Sequence, residues 1–384
     1  MPVRDLKAPL TSWVATGGAS ATIDEQGRLV FNDGTQGGQR ILRLTDASLN
    51  GAMVRVSLVA RPTPECTTQL LVLHPDAGFI VCRVSPSGQV IDAGVATELS
   101  VQRQADGALA ISATYFSTVG AAGLGAGALP ASSPGTGKPQ FIFDSIEVAA
   151  GPAEMPDADR RIVVLDAGSD WRFAPQWRRL CPRVVPVAVP RPTGSFPLLR
   201  QDVASYPGGR MLDAVLYNKK GRRKLNRAAE PARSSLLAVD RRTLRKFADS
   251  APFEVQEQIN ADCVRYDELH AAGTAPAPDA LRLDTQGTEY EVLQGFGNLL
   301  EGCLAVQVRS ALYPVYKGQK LLTDIADLLD KRDFVMSGLG PMPQGGQVVE
   351  VQAWFVKSAE WAAAQPDVVR ERLAAISRLP GFGG

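Results

Sequence analysis

Around residue 155 the grain of the chain changes, and that change sets what the chain can fold into. Before it, from residue 12 to about 150, strand-length segments follow one another: ATIDEQGRLVF, GGQRILRLT, AMVRVSLVAR, TTQLLVLH, GFIVCRVS, GALAISATYF and PQFIFDSIEVA. They are rich in β-branched residues, many alternate apolar with polar, and Gly, Pro, Asp or Asn separates them about every ten to fifteen residues. No helical pattern interrupts them. The expectation is an antiparallel sandwich of jelly-roll type, two sheets burying their inward faces against each other. Residues 121 to 139, AAGLGAGALPASSPGTGKP, are dominated by Gly, Ala, Ser and Pro and read as a mobile loop before the last strand.

After GPAEMPDADRR, residues 151 to 161, which has the composition of a linker, RIVVLDAG is a continuous apolar run ending at Asp and Gly. That is the mark of a parallel strand buried on both faces. From there helical patterns alternate with short strands: SSLLAVDRRTLRKFADS, FEVQEQIN, CVRYDELHAAG, ALRLDTQG and TEYEVLQGFGNLL, with VVEVQAWFVKS and a helix to about Arg378 at the end. This predicts a doubly wound α/β domain over residues 162–384, behind a β-domain over residues 1–150. A length of 384 residues agrees with two cores.

Composition excludes several function classes. Forty-one Lys and Arg against 40 Asp and Glu leave a net charge of +1, so no global field points to nucleic acid. No apolar run approaches the ~18 residues that cross a bilayer, and the start lacks a secretory signal, so a cytoplasmic protein is expected. Five scattered cysteines and two histidines argue against a zinc site, a disulfide framework or a histidine-based triad. The run NKKGRRKLNR, 218 to 227, puts six basic residues in ten. It reads as a solvated loop or as an anion clamp in which Lys219 and Arg222 hold phosphate, uronate or sialic acid groups; without interleaved aromatics it is a poor nucleic-acid motif.

The strongest motif is ALRLDTQGTEYEVLQGFGNLL, residues 280 to 300. A buried strand ends at Asp284, Gly287 permits a tight turn, and Thr288 and Glu289 open a helix. Ligands of open α/β sheets bind beyond the carboxyl ends of the strands, so Asp284 and Gln286 are expected to face a cleft. The plainer alternative is that Asp284 caps the next helix.

A strand ending in Asp-x-Gln-Gly, then Glu and Val-Leu-x-Gly, resembles the fourth strand of FkbM-family methyltransferases. The segments AVLYN, ARSSLL, CVRYDEL, AVQVRSALYPVYKGQKLLTDIADLLDKRDF and VQAWFVKS resemble further parts of that family in the right order. The resemblance spans about residues 160 to 358 and implies a Rossmann-like class I methyltransferase fold that holds S-adenosylmethionine (SAM). On that footing Asp166, Gly168, Asp170, Val189 and Asp267 fall at cofactor positions, Asp284 and Gln286 at catalytic ones, and Arg309 and Tyr316 on the substrate side. The implied reaction is O-methylation of a sugar hydroxyl on a glycan or glycoconjugate. The cadence of the β-domain likewise resembles jelly-roll modules of carbohydrate-binding proteins, implying a glycan or protein partner there. Its aromatic candidates, Trp13, Phe31, Phe79, Tyr115 and Phe116, sit mostly in apolar alternation and read as core. The oligomeric state stays open, a homo-oligomer included.

The cofactor half departs from that family. Asp170 and Trp171 replace loop glycines where the methionine portion of SAM would lie, Val189 stands at the acidic position that would accept the ribose hydroxyls, and Arg309 and Ala311 replace glutamates. Losing two charge-assisted hydrogen bonds of roughly 1.5–3 kcal/mol each weakens binding by about 100-fold or more. The second expectation is therefore a catalytically inactive relative that uses the fold for binding or assembly.

Overall fold

The computed structural model describes residues 4–6, 9–16, 19–32, 41–66, 70–74, 80–127, 137–169, 171–246, 250–344 and 347–383. The chain divides into two compact units, one of Met1–Met155 with Pro175–Pro182, the other of Pro156–Ala174 with Arg183–Gly384.

The first unit is β-rich, with two antiparallel sheets. One runs in the order Glu98–Arg103, Leu109–Phe116, Ala52–Pro62, Pro139–Pro152, Leu29–Asn32, Ser20–Ile23, with Arg4–Leu6 also on Pro139–Pro152. The other runs Val14–Thr16, Ile41–Thr45, Ala121–Gly127, Leu70–Leu73, Cys82–Val84, Val90–Asp92. Strict alternation does the work: Ala52, Val54, Val56, Leu58 and Ala60 are buried along one strand, and Leu109, Ile111, Ala113 and Tyr115 along its neighbour. Their burial builds the inter-sheet core. Trp13, Phe31, Tyr115 and Phe116 all belong to the buried interior, and Phe79 lies outside the described residues.

Two expectations change here. Residues 121–127 form a strand paired on both sides, to Ile41–Thr45 and to Leu70–Leu73, so the first part of the supposed loop is sheet interior. Small residues are tolerated there because both neighbours satisfy the backbone, while Leu124 supplies the buried side chain. Residues 128–136 of the expected loop lie outside the described residues. The strand Pro139–Pro152 also reaches into the expected linker.

In the second unit the strands are β1 (Ile162–Ser169), β2 (Val184–Pro190), β3 (Arg210–Met211), β4 (Val215–Leu216), β5 (Gly221–Ala228), β6 (Val255–Val264), β7 (Ala280–Leu283), β8 (Ala305–Ala311), β9 (Phe334–Gln344) and β10 (Gln347–Lys357). Seven of them make one sheet in the order β3-β2-β1-β7-β8-β10-β9. The strands from β3 to β8 are parallel, and β10 runs antiparallel between β8 and β9. The order is Rossmann-like, with its reversal between β1 and β7. Val164, Leu165, Val187, Leu281, Leu283, Val306 and Val308 are buried, as strands covered on both faces require.

Helical cover is thinner than a doubly wound layout implies. Pro197–Ala204, Glu289–Gln294, Leu322–Asp330 and Asp367–Ser377 are α-helices, but among its described residues SSLLAVDRRTLRKFADS yields only the four-residue α-helix Arg241–Leu244. The segment after β1, Pro175–Leu180, is a 3-10 helix grouped with the first unit, where Arg178 donates to Thr118 Oγ1 at 2.9 Å. The basic run is a strand rather than a loop: β5 pairs antiparallel with β6, and β4 pairs parallel with β6, in a separate three-stranded sheet. No helix among the described residues is long and apolar enough to cross a membrane.

Candidate functional site

The carboxyl ends of β1, β2 and β7 enclose a cavity of about 50 Å³. Ala167 and Gly168 come from β1, Val189 and Arg191 from the end of β2, Ala214 to Leu216 from the segment carrying β4, and Asp284, Thr285 and Thr288 from the turn after β7. Ser234 and Ser235 add hydroxyls, while Leu216, Leu225 and Val189 make the wall apolar. This is the switch point at which parallel sheets bind ligands.

Gly168 brings β1 and β7 together. Its φ is +95°, and a Cβ there would stand 2.0 Å from the Asp284 carbonyl oxygen. Only glycine permits that approach. The turn after β7 uses two left-handed residues in succession, Gln286 (φ 56°) and Gly287 (φ 97°). Gln286 is held from three sides: its Nε2 donates to Asp284 Oδ1 at 2.8 Å, its carbonyl accepts from Ser235 Oγ at 2.6 Å, and its Oε1 lies 3.1 Å from the Tyr316 hydroxyl. Such conformations persist where surrounding bonds determine them.

Asp284 lies at the centre of a guanidinium cluster. Arg191 Nη2 donates to its Oδ2 at 2.9 Å, and Arg309 and Arg282 approach within 3.6 and 3.9 Å. Burial pushes the Asp284 carboxyl up, but Arg191, Arg309 and Arg282 together outweigh burial and hold it below the usual carboxylate range. The cluster is nearly self-neutral. Arg282 also binds Asp166 at 2.8 Å, Arg309 also binds Glu350 on β10, and Arg233 reaches Glu350 at 3.0 Å. Glu289 is also buried here, its carboxylate accepting from the backbone N–H groups of Thr285 at 2.8 Å and Gly287 at 3.0 Å. Burial pushes its carboxyl up to about 7 despite those donors.

The residues expected from the sequence are only partly brought together. Gly168, Val189 and Asp284 line the cavity, with Gln286 in the turn beneath. Asp166 is fully buried and engaged by Arg282 and the Ala174 N–H, outside the lining. Asp267 sits apart, in a pair with Arg265. Lys219 is exposed in the bend between β4 and β5, and Arg222 is exposed on β5, where it pairs with Asp262. Tyr316 is buried against the turn, its hydroxyl 2.9 Å from the Arg233 carbonyl. Asp170 lies outside the described residues. Trp171 does not enter the cavity: it is 47% exposed, with the Arg172 guanidinium 5.5 Å from its ring. Arg191, Arg282, Glu350 and Ser235 join the site with no local sequence signal, because their partners lie far away along the chain.

The fold and the cavity together define a Rossmann-like unit with a cavity at its switch point. Within it, residues 207–336 match the family model described as Methyltransferase FkbM domain, about a third of the chain. That match suggests SAM chemistry for the fold; β1 and most of the β2 side of the cavity lie outside it. No curated protein matches the chain. Among solved structures, the chain is similar to the CBM22-1 xylan-binding domain of Paenibacillus barcinonensis Xyn10C, at 13% identity, TM-score 0.24, covering 38% of this chain and 91% of that one. It is also similar to magnesium protoporphyrin IX methyltransferase of Synechocystis PCC 6803 with bound SAM, at 12% identity, TM-score 0.24, covering 52% and 72%. Scores this low carry neither fold nor function across.

Proposed function

We propose that the second unit is a methyltransferase-fold binding module whose cofactor cleft is closed by its own charges, so that the protein binds rather than methylates. The observation that carries this reading is the Arg191–Asp284 pair inside the cleft. Asp284 is the residue that methyl transfer would use as base or orienter, and its carboxyl is held low and surrounded by three arginines. A good general base has a pKa near the working pH, which this arrangement opposes.

Three further features support it. Val189 offers no acceptor where SAM ribose hydroxyls need a carboxylate. No α-helix among the described residues follows β1 to aim backbone N–H groups at the cofactor, since Pro175–Leu180 is a 3-10 helix of the first unit. The cavity, about 50 Å³, is small beside the ~300–1,000 Å³ of pockets that enclose ligands of this size. The residues present therefore do not fit SAM.

A second reading, SAM-dependent O-methylation of a sugar hydroxyl, keeps one observation in its favour: the cavity lies at the switch point, between strand ends arranged as the FkbM resemblance implies. Calorimetric titration of the whole protein with SAM and S-adenosylhomocysteine separates the two. No heat at ~1 mM ligand is the expected result, and binding at ~1 µM would overturn the binding-module reading.

A further inference from the structure

The short helix Arg241–Leu244 borders a second cavity of this unit, of about 130 Å³. Val239, Leu244 and Phe253 give it an apolar side, Arg241, Arg245, Ser250 and Glu254 a polar one, and none of them lines the cleft. The walls are held from both sides. Val239 is bridged to Tyr316, and the Asp240 N–H donates to the Val315 carbonyl at 2.8 Å. Opposite, the Glu254 carbonyl accepts from the Ala229 N–H at 2.8 Å. Leu244 and Phe253 are buried in a small core with Val315, Tyr316 and Val349, and the Phe253 and Tyr316 ring centres lie 6.2 Å apart. What sets the cavity apart is its charge. The Arg245 N–H closes the helix on the Arg241 carbonyl, so the two arginines stand four residues apart on one helical face, where Cβ atoms lie about 5–6 Å from each other. Arginines at the cleft are paired: Arg191, Arg282, Arg309 and Arg233 each hold a carboxylate. Arg241 and Arg245 hold none among the described residues. Asp240, next to them in sequence, is engaged by the backbone instead, its Oδ1 accepting from the Arg242 and Thr243 N–H groups at 2.9 and 3.2 Å. Against the two guanidiniums the lining sets one carboxylate, Glu254, which leaves one positive charge in excess.

We infer that this cavity binds a small organic monocarboxylate, its charged end between Arg241 and Arg245 and its apolar tail against Val239, Leu244 and Phe253. The inference goes beyond the binding-module reading and holds whether or not the cleft takes SAM. The planar guanidinium fork matches the two oxygens of a carboxylate, and the Ser250 hydroxyl on the lining adds a further donor. One excess positive charge is balanced by one negative charge. A phosphate monoester brings about −1.5 to −2, more than the lining neutralises beside Glu254. The volume also limits the tail: about 130 Å³ falls below the ~300–1,000 Å³ of pockets for larger ligands. A nucleic-acid strand would need exposed rings for its bases to stack on, whereas Phe253 is buried in the floor. A flexible polyanion would be served by the exposed cations alone and would leave that apolar floor unused.

The test titrates the full chain at low salt with benzoate, hexanoate, phenyl phosphate and benzyl alcohol, read by calorimetry. Wild type is expected to bind benzoate or hexanoate with a Kd below about 1 mM, phenyl phosphate more weakly and benzyl alcohol not at all. Arg241→Gln and Arg245→Gln should each weaken carboxylate binding by at least about 5-fold, with unchanged thermal unfolding because both side chains are exposed. Failure of both carboxylates to bind wild type at ~10 mM would overturn the inference. So would undiminished binding by both variants, or benzyl alcohol bound as tightly as benzoate, since either takes the arginines out of the site. Phenyl phosphate bound more tightly than both carboxylates would overturn the assignment to a monoanion. SAM bound in the micromolar range would defeat the binding-module reading alone, because the two cavities share no lining residue.

Discussion

Removing the carboxylate of Asp284 is the sharpest test of how the cleft is held. In Asp284→Ala, the guanidiniums of Arg191, Arg309 and Arg282, now 2.9, 3.6 and 3.9 Å from its oxygen, lose their shared partner. Arg309 keeps Glu350 and Arg282 keeps Asp166, so Arg191 carries most of the loss. Breaking a buried pair by deleting one partner costs about 3–5 kcal/mol. For a unit of this size each kcal/mol moves the midpoint by roughly 2–4 °C. The transition of the second unit, followed by scanning calorimetry on the whole chain, should therefore fall by about 6–20 °C. The double substitution Arg191→Met with Asp284→Leu removes both charges and should recover more than half of that loss. The effect also has a pH sign. A folded pKa below the unfolded value gives stability present above ~pH 4 and lost as pH falls through the folded value, so wild type and Asp284→Ala should converge in acid. A fall of less than about 2 °C at neutral pH would refute the network and reopen Asp284 as a free catalytic base.

Two other perturbations have clear signs. Glu289 titrates at about 7 against an ordinary value of 4.5, so the folded protein holds a proton that the unfolded chain releases. Its contribution is complete below ~pH 4.5 and lost as pH rises through 7, on the order of 3 kcal/mol. Urea midpoints at pH 5 and pH 8 should differ less in Glu289→Gln than in wild type, and parallel pH curves would contradict the burial argument. Gly168→Ala forces a Cβ to 2.0 Å from the Asp284 carbonyl oxygen at a φ of +95°. It should cost more than about 2 kcal/mol in denaturant unfolding, and a neutral result would show that β1 and β7 part easily at this end.

What the chain displays locally, it displays well. Alternation along Ala52–Pro62 announces a half-buried strand, and a continuous apolar run announces β1. Two elements stay hidden for a physical reason. Residues 121–127 carry no hydrophobic alternation, because a strand of Gly and Ala relies on its two neighbours for packing and backbone bonds. The basic strand β5 shows an apolar pattern only at its end, since its charges are answered across the ladder, Arg222 by Asp262 and Arg227 by Glu257, 40 and 30 residues away.

The same separation explains why the cleft reads differently in one dimension and in three. Gly168, Asp284 and the Gln286–Gly287 turn are legible because each signals a local backbone or capping need. The partners are not: Arg191 meets Asp284 across 93 residues, Arg309 meets Glu350 across 41, and Arg233 meets Glu350 across 117. In sequence, Arg309 stands where the FkbM resemblance implies a glutamate, and Arg191 follows a strand that ends in Val189 and Pro190. Together with Glu350 and Asp284 they form one ion-pair network in which the charges nearly balance. Such a cluster is cohesive, since removing any one member leaves a buried charge without its partner. That is why the polar groups of the cleft are committed to one another.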